Sequence, residues 1–226
     1  MRRLVVAAIL GLPFLAPTNA HARLCEHLPM RCTYEAPAFS ITVVDAETRQ
    51  PLSEVHGLAE WQEWGLHGRG GPLMVLDAIS RPDGILRFDR WGPLSGPNSG
   101  VLSPNDPVVT LFKPGYRPLI VFNNKGFTHQ IEPTERIRPF GQDGQTFELV
   151  PFRGTPPEWL QELRKVDAPQ ATPISDEDLR RFRGPYLNRL QRIVTELNRL
   201  PDDVRSMSRL QLIEAYIRAA ERRHPQ

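Results

Sequence analysis

Between residues 39 and 152 the chain repeats one pattern: short apolar-rich runs, several with alternate side chains apolar, each closed by turn residues. Successive side chains of a strand point to opposite faces, so a period of two gives such a run one apolar face that must be covered. Seven runs read as strands, at 39–45, 55–64, 73–79, 84–91, 108–112, 119–123 and 146–150, and the alternation is plainest in three of them. In the first, Ile41 and Val43 share a face. In the second, Val55, Ala59 and Trp61 oppose His56, Glu60 and Gln62, and in the fourth Leu86 and Phe88 oppose Arg87 and Asp89. No long helical period interrupts them, and strands of this kind hide their apolar faces by stacking sheet on sheet. The expected fold is α+β, a seven-stranded antiparallel β-sandwich followed by a helical C-terminal region. Ile41, Val43, Leu86, Phe88, Leu111, Val121, Phe147 and Leu149 are expected to fill the space between the sheets.

Around Thr155-Pro156-Pro157 the alternation stops. Residues 158–164 suit a short helix, and after a linker at 167–173, Ser175 with Asp178 resembles a capping box. Pro185 suits the first turn of a longer helix, in which Tyr186, Leu190, Ile193, Leu197 and Leu200 recur at steps of four, three, four and three. That spacing draws one buried stripe. A turn at Pro201-Asp202-Asp203 leads to a second helix with Leu210, Ile213, Ile217 and Ala220 on one face. So short a connection predicts antiparallel packing of the two helices.

At the start of the chain, Met1-Arg2-Arg3 precedes the apolar run 4–16, and Ala20-His21-Ala22 places small residues where signal peptidase reads them. The run is 13 residues long and contains Pro13. A bilayer span needs roughly 20 apolar residues, so a cleaved export signal is expected rather than an anchor. Cys25 and Cys32 lie beyond the cleavage site after Ala22. In an oxidising compartment such a pair is expected to close one disulfide loop; a redox pair needs two intervening residues, and a zinc site needs more ligands than the nearby His27. The expected organisation is a signal peptide at 1–22, an N-terminal segment with the disulfide at 23–37, the sandwich at 38–152 and the helical region at 153–226. No transmembrane segment is expected, and the protein is expected to be secreted or periplasmic.

The formal charge of +2 is accounted for by Arg2 and Arg3. Beyond residue 22 there are 26 basic and 26 acidic residues, which argues against an overall basic field drawing the protein to nucleic acid. The balance conceals a split, since residues 23–151 carry net −3 and residues 152–226 carry net +3. The helical region is therefore expected to dock on its own β part, with an acidic partner as the alternative.

Three turns give the β part a family resemblance. Asp45-Ala-Glu-Thr48-Arg-Gln-Pro51-Leu52 joins the first two strands, Arg81-Pro-Asp83-Gly84 precedes the fourth, and Lys113-Pro-Gly115-Tyr116 separates the fifth from the sixth. This order resembles the carboxypeptidase regulatory-like domain, a transthyretin-like sandwich module of secreted and cell-envelope proteins, over residues 38 to 124. Where that family has Gly after the Thr of the first turn, this chain has Arg49. Only Gly enters the left-handed region without steric cost, so a different turn geometry is expected here. The zinc carboxypeptidase activity of the family resides in a separate catalytic domain. Two enzyme groups with related sandwiches also lack their marks here: no His-x-His pair suits an intradiol dioxygenase, and Arg222-Arg-His-Pro-Gln226 is not the Tyr-Arg-Gly-Ser tail of a hydroxyisourate hydrolase.

The chain shows little recognisable chemistry. His27, His56, His67, His129 and His224 form neither the His-x-His nor the helical His-x-x-x-His spacing of a metal pair. No phosphate loop, dinucleotide glycine fingerprint or Gly-x-Ser-x-Gly elbow occurs. Glu60 and Glu63 are expected on opposite sides of one strand, a poor geometry for paired acid–base catalysis. No catalytic residue, metal ligand or cofactor is predicted. The weak binding candidates are Trp64 and Trp91, at strand ends where two rings would make a stacking platform for a sugar or aromatic ligand, together with His56 and His67. Trp61 shares the phase of Val55 and Ala59 and is expected in the core. The function expected is that of a non-catalytic exported envelope protein, a binding or scaffolding module for a protein or glycan of the envelope. The alternative is an uncharacterised hydrolase or metal-dependent enzyme whose site is assembled only by folding, with His56, His67 and carboxylates meeting in one cleft.

Overall fold

A computed structural model describes residues 33–65, 68–95, 101–103, 105–124, 136–167 and 176–222. The leader, Cys25 and Cys32 with their expected disulfide, and His67 lie outside the described residues. The fold is α+β. Its strands are β1 (Thr33–Ala36), β2 (Phe39–Asp45), β3 (His56–Gly65), β4 (Gly68–Ile79), β5 (Ile85–Phe88), β6 (Trp91–Ser95), β7 (Val101–Leu102), β8 (Val108–Phe112), β9 (Leu119–Phe122) and β10 (Thr146–Leu149). The helices are α1 (Pro156–Asp167), α2 (Asp176–Arg181), α3 (Arg183–Leu197), α4 (Asp202–Ser206) and α5 (Leu210–Arg222).

Each of the seven runs coincides with a strand, and β1, β6 and β7 are additional. β6 and β7 occupy the interval between the fourth and fifth runs: β6 pairs with β1, and β7 with the far end of β3. One sheet has the order β4-β3-β8-β9, antiparallel throughout, and a smaller one has the order β10-β2-β5. β10 pairs parallel with β2, contrary to the all-antiparallel expectation, because the chain reaches it from the other sheet by a long connection rather than a hairpin. The inner faces of both sheets share one core, with Ile41, Val43, Leu86, Phe88 and Leu149 from the small sheet and Ala59, Trp61, Val109, Leu111 and Val121 from the large one. Phe147 is partly buried against it. Gly57 lets the sheets approach: a Cβ there would lie 2.6 Å from Leu86 Cδ2 and 2.9 Å from Phe88 Cζ.

The three sequence turns converge at one end of the sheets. Asp45 Oδ1 accepts the backbone N–H groups of Glu47 and Thr48, each at 2.8 Å, and Asp45 Oδ2 accepts the Tyr116 hydroxyl at 2.8 Å. Gly84, at φ +76°, sits where a side chain would strike the Val43 carbonyl, and that residue's N–H donates to Gly84 O at 2.8 Å. Arg49 occupies the left-handed region at φ +63° and pairs with Glu148. The turn is thus built with the backbone conformation that favours glycine, and Arg bears the strain.

Helices cover the other face of the large sheet. α1 is capped by Thr155, whose N–H donates to Glu158 Oε2 at 2.7 Å, and Pro156 stands at the first helical position, where no donor is needed. In α3 the stripe Tyr186, Leu190, Ile193 and Leu197 is buried as its spacing requires. Leu190, Ile193 and Leu197 pack with Trp159, Leu160 and Leu163 of α1, Val204 of α4 and Ile213 of α5 into a second core, to which the sheet contributes Phe112. A third, smaller cluster joins Leu58 and Val75 of the sheet to Phe182 and Tyr186. The helical region is docked on its own β part. No helix among the described residues is long and apolar enough to cross a membrane.

Candidate functional site

Alternation along β3 turns Gly57, Ala59 and Trp61 towards the inter-sheet core and leaves His56, Leu58 and Glu60 on the face that meets the helices. Asp77 of β4 and Thr110 of β8 join them through the register of the sheet. α3 lies across this face and inserts Arg189 into it. Arg189 Nε donates to His56 Nδ1 at 3.0 Å, and Arg189 Nη2 donates to the Thr110 carbonyl at 2.8 Å. On the other side of the imidazole, His56 Nε2 donates to Asp77 Oδ2 at 3.2 Å, and Asn188 Nδ2 donates to the same oxygen at 2.8 Å. Tyr186 OH donates to Glu60 Oε1 at 3.1 Å, and Arg181 Nη2 donates to the Leu73 carbonyl at 2.9 Å. His56 and Arg189 are both completely buried, at 0% and 2% exposure.

The hydrogen bonds fix the protonation pattern. A guanidinium can only donate, so His56 Nδ1 must be an acceptor and the proton sits on Nε2. Burial, followed by the positive charge of Arg189, pushes the imidazole down to about 4, and the ring is neutral at neutral pH. Arg189 is itself lowered to about 10 by burial, against the opposing pull of Glu60. Burial pushes Asp77 upward, but the hydrogen bonds from His56 and Asn188 outweigh it and hold the carboxyl below the usual range.

A second buried polar group lies further along β3. Asp106 Oδ2 accepts the Gln62 N–H at 2.7 Å, and burial pushes this carboxyl up to about 7 although Arg138 draws it down. Arg138, fully buried, reaches the Leu102 carbonyl at 3.4 Å and lies 5.3 Å from the centre of the Tyr34 ring. Register shifts on either side of Gln62 and Glu63 break the simple alternation here. Glu60 contacts Tyr186, while the charge of Glu63 acts on Tyr34.

The candidates read from sequence fall in separate places. Trp91 is a correction: it is 7% exposed and lies edge-on to Trp61 with ring centres 5.2 Å apart, so its ring belongs to the core and not to an open platform. Trp91 pairs with Ala36 of β1, and Tyr34 and Ala36 of that strand lie in the same core cluster. Trp64 is 45% exposed, the one tryptophan with substantial surface. His56 is enclosed beneath α3 with both ring nitrogens engaged, which corrects its reading as an accessible binding residue. Trp61 is in the core. Sequence reasoning misses Arg189, although it lies three residues after Tyr186 and four before Ile193, within the apolar stripe. An arginine in that phase is the local sign of a buried polar partner.

None of these groups lines the main concave surface. A cavity of about 540 Å³ opens at α4 and the start of α5, bordered by Arg205, Arg209, Ser206 and Ser208, with Arg205 paired to Asp202. Among the described residues no three His, Cys, Asp or Glu side chains are placed to hold a metal ion together. No family profile matches the chain, and no curated protein matches it in sequence.

Proposed function

We propose that this is a non-catalytic exported envelope protein in which a transthyretin-like sandwich of the carboxypeptidase regulatory type serves as a binding or scaffolding module, with the helical region as a second layer. The observation that carries the reading is the state of His56. A general base needs a free lone pair directed at a substrate proton, and here Nδ1 is taken by Arg189 and Nε2 by Asp77 beneath a helix. These groups hold two layers together. Support for the sandwich type comes from the convergence of Asp45, Tyr116 and Gly84, the residues on which the family resemblance rests, at a single end of the sheets.

Export follows from the leader pattern, and a protein or glycan of the envelope is the partner class that fits it. Trp64, at the end of β3, supplies an exposed aromatic face suited to stacking on a sugar ring. Calorimetric titration of the purified protein and its Trp64→Ala variant with soluble cell-wall glycan fragments tests this. Saturable binding that weakens at least tenfold in the variant is expected, and equal affinity of the two proteins would remove Trp64 from the site.

A further inference from the structure

We propose that His56 is a proton-sensitive latch between the two layers: uptake of a second proton on its ring releases α3 from the outer face of β3, β4 and β8. The geometry sets the direction. The contact between Arg189 Nε and His56 Nδ1 requires a lone pair on Nδ1, and an imidazolium presents an N–H there instead. Two donors then face each other, both positively charged, in a site that excludes water.

The groups around the ring do not relieve this. From β4, Asp77 faces Nε2, where it already accepts a proton donor; its charge favours the imidazolium but it does not reach Nδ1. From α3, Arg189 and Arg192 both oppose a positive ring, and Asn188 is engaged with Asp77. Glu60, on the same strand face, is held by the Tyr186 hydroxyl and acts on Arg189. β8 contributes Thr110, whose carbonyl accepts from Arg189, and the ring of Phe112.

The composition of the covered face points the same way. His56, Glu60, Asp77 and Thr110 stand among Leu58, Val75 and Phe112, so the surface alternates polar and apolar groups. Burying His56, Glu60 and Thr110, and covering much of Asp77, beneath a permanently seated helix carries a desolvation cost that an apolar face would avoid. On a face that opens, the same side chains are hydrated. Release leaves the inter-sheet core untouched, because none of these residues belongs to it.

Amide hydrogen exchange on the full chain, corrected for intrinsic rates, tests the latch. With the docked imidazole titrating at about 4 and a released one near 6.5, protection of residues 186–197 falls roughly 60-fold between pH 7 and pH 4.5. Protection of Val109 and Leu111 in β8 is expected to change less than about threefold, since opening is local. His56→Gln, which can donate and accept without titrating, removes the pH dependence from α3. Constant protection of α3 in the wild type, a parallel loss in α3 and β8, or the same loss in His56→Gln would each overturn the proposal. Should the variant fail to fold, ¹⁵N shifts of the wild-type ring decide the question: ring protonation and loss of α3 protection share one midpoint, and an imidazolium beneath a still-protected α3 refutes the latch.

Discussion

Truncating Arg189 to alanine is expected to destabilise the protein by about 3–5 kcal/mol at pH 7, the range for removing one partner of a buried charged contact. Arg189 makes two well-placed bonds, to His56 Nδ1 at 3.0 Å and to the Thr110 carbonyl at 2.8 Å. Hydrogen bonds from a charged donor contribute roughly 1.5–3 kcal/mol each, giving a gross loss of about 3–6 kcal/mol. Relief of the cost of desolvating a guanidinium held at 2% exposure offsets part of this, while the unsatisfied acceptors and the cavity left under α3 add to it. Arg189→Met separates the two effects. It keeps the apolar volume and loses only the hydrogen bonds, so a smaller loss of about 2–3 kcal/mol is expected. Urea unfolding at pH 7, followed by far-ultraviolet circular dichroism and tryptophan fluorescence, measures both. A double-mutant cycle with His56→Phe should return a coupling of about 1–3 kcal/mol. A loss below about 1 kcal/mol for Arg189→Ala, or a coupling near zero, would refute the view that this contact fastens the helical layer.

Gly57→Ala places a methyl group 2.6 Å from Leu86 Cδ2 in the inter-sheet core, and a loss of about 1–3 kcal/mol in urea unfolding is expected; an unchanged midpoint would mean that the sheets separate at no cost. Arg49→Gly relieves the left-handed backbone at φ +63° while giving up an exposed ion pair with Glu148, so a gain of about 0.5–1 kcal/mol is expected, and a loss would show that the ion pair outweighs the backbone strain. Asp106 binds its proton more tightly in the folded chain, at about 7, than in the unfolded chain, near 3.9, so its contribution to stability is complete below pH 4 and is lost as pH rises through 7. Asp106→Asn should therefore gain on the wild type between pH 5 and pH 8, by up to about 4 kcal/mol, and parallel stability–pH curves would rule this out. His56 has the opposite sign, present above 6.5 and lost as pH falls through about 4, so these two residues largely offset each other in global unfolding.

Much of the β layer is legible in sequence because β2 and β5 bury one face against the other sheet and β3 sets polar residues on its second face, which writes a period of two into the residues, while β8, buried on both faces, reads as a short apolar run. β6 and β7 leave no such trace. β6 runs Trp91-Gly92-Pro93-Leu94-Ser95, with only Trp91 buried, and β7 has two residues, too few to show a period. The direction of β10 is equally hidden, since alternation records which face is buried and not which way the chain runs. The helices show through their stripe, Tyr186 to Leu197. The polar contact they make does not: Arg189 and His56 are 133 residues apart, and neither residue's neighbours specify the other. Trp91 shows a limit of phase reasoning at strand ends, where position in the sheet decides burial.

The parallel pairing of β10 with β2 has a consequence for synthesis. Thr42 meets Thr146, so the first long strand of the small sheet waits for about 100 further residues before its second neighbour exists. At 5–20 residues per second that interval is roughly 5–20 s, during which Ile41 and Val43 belong to a sheet open along one edge. A chain in this condition is slow to close and remains threadable. For a protein proposed to be exported, a topology that completes the small sheet last leaves that edge unpaired until residue 146 has emerged.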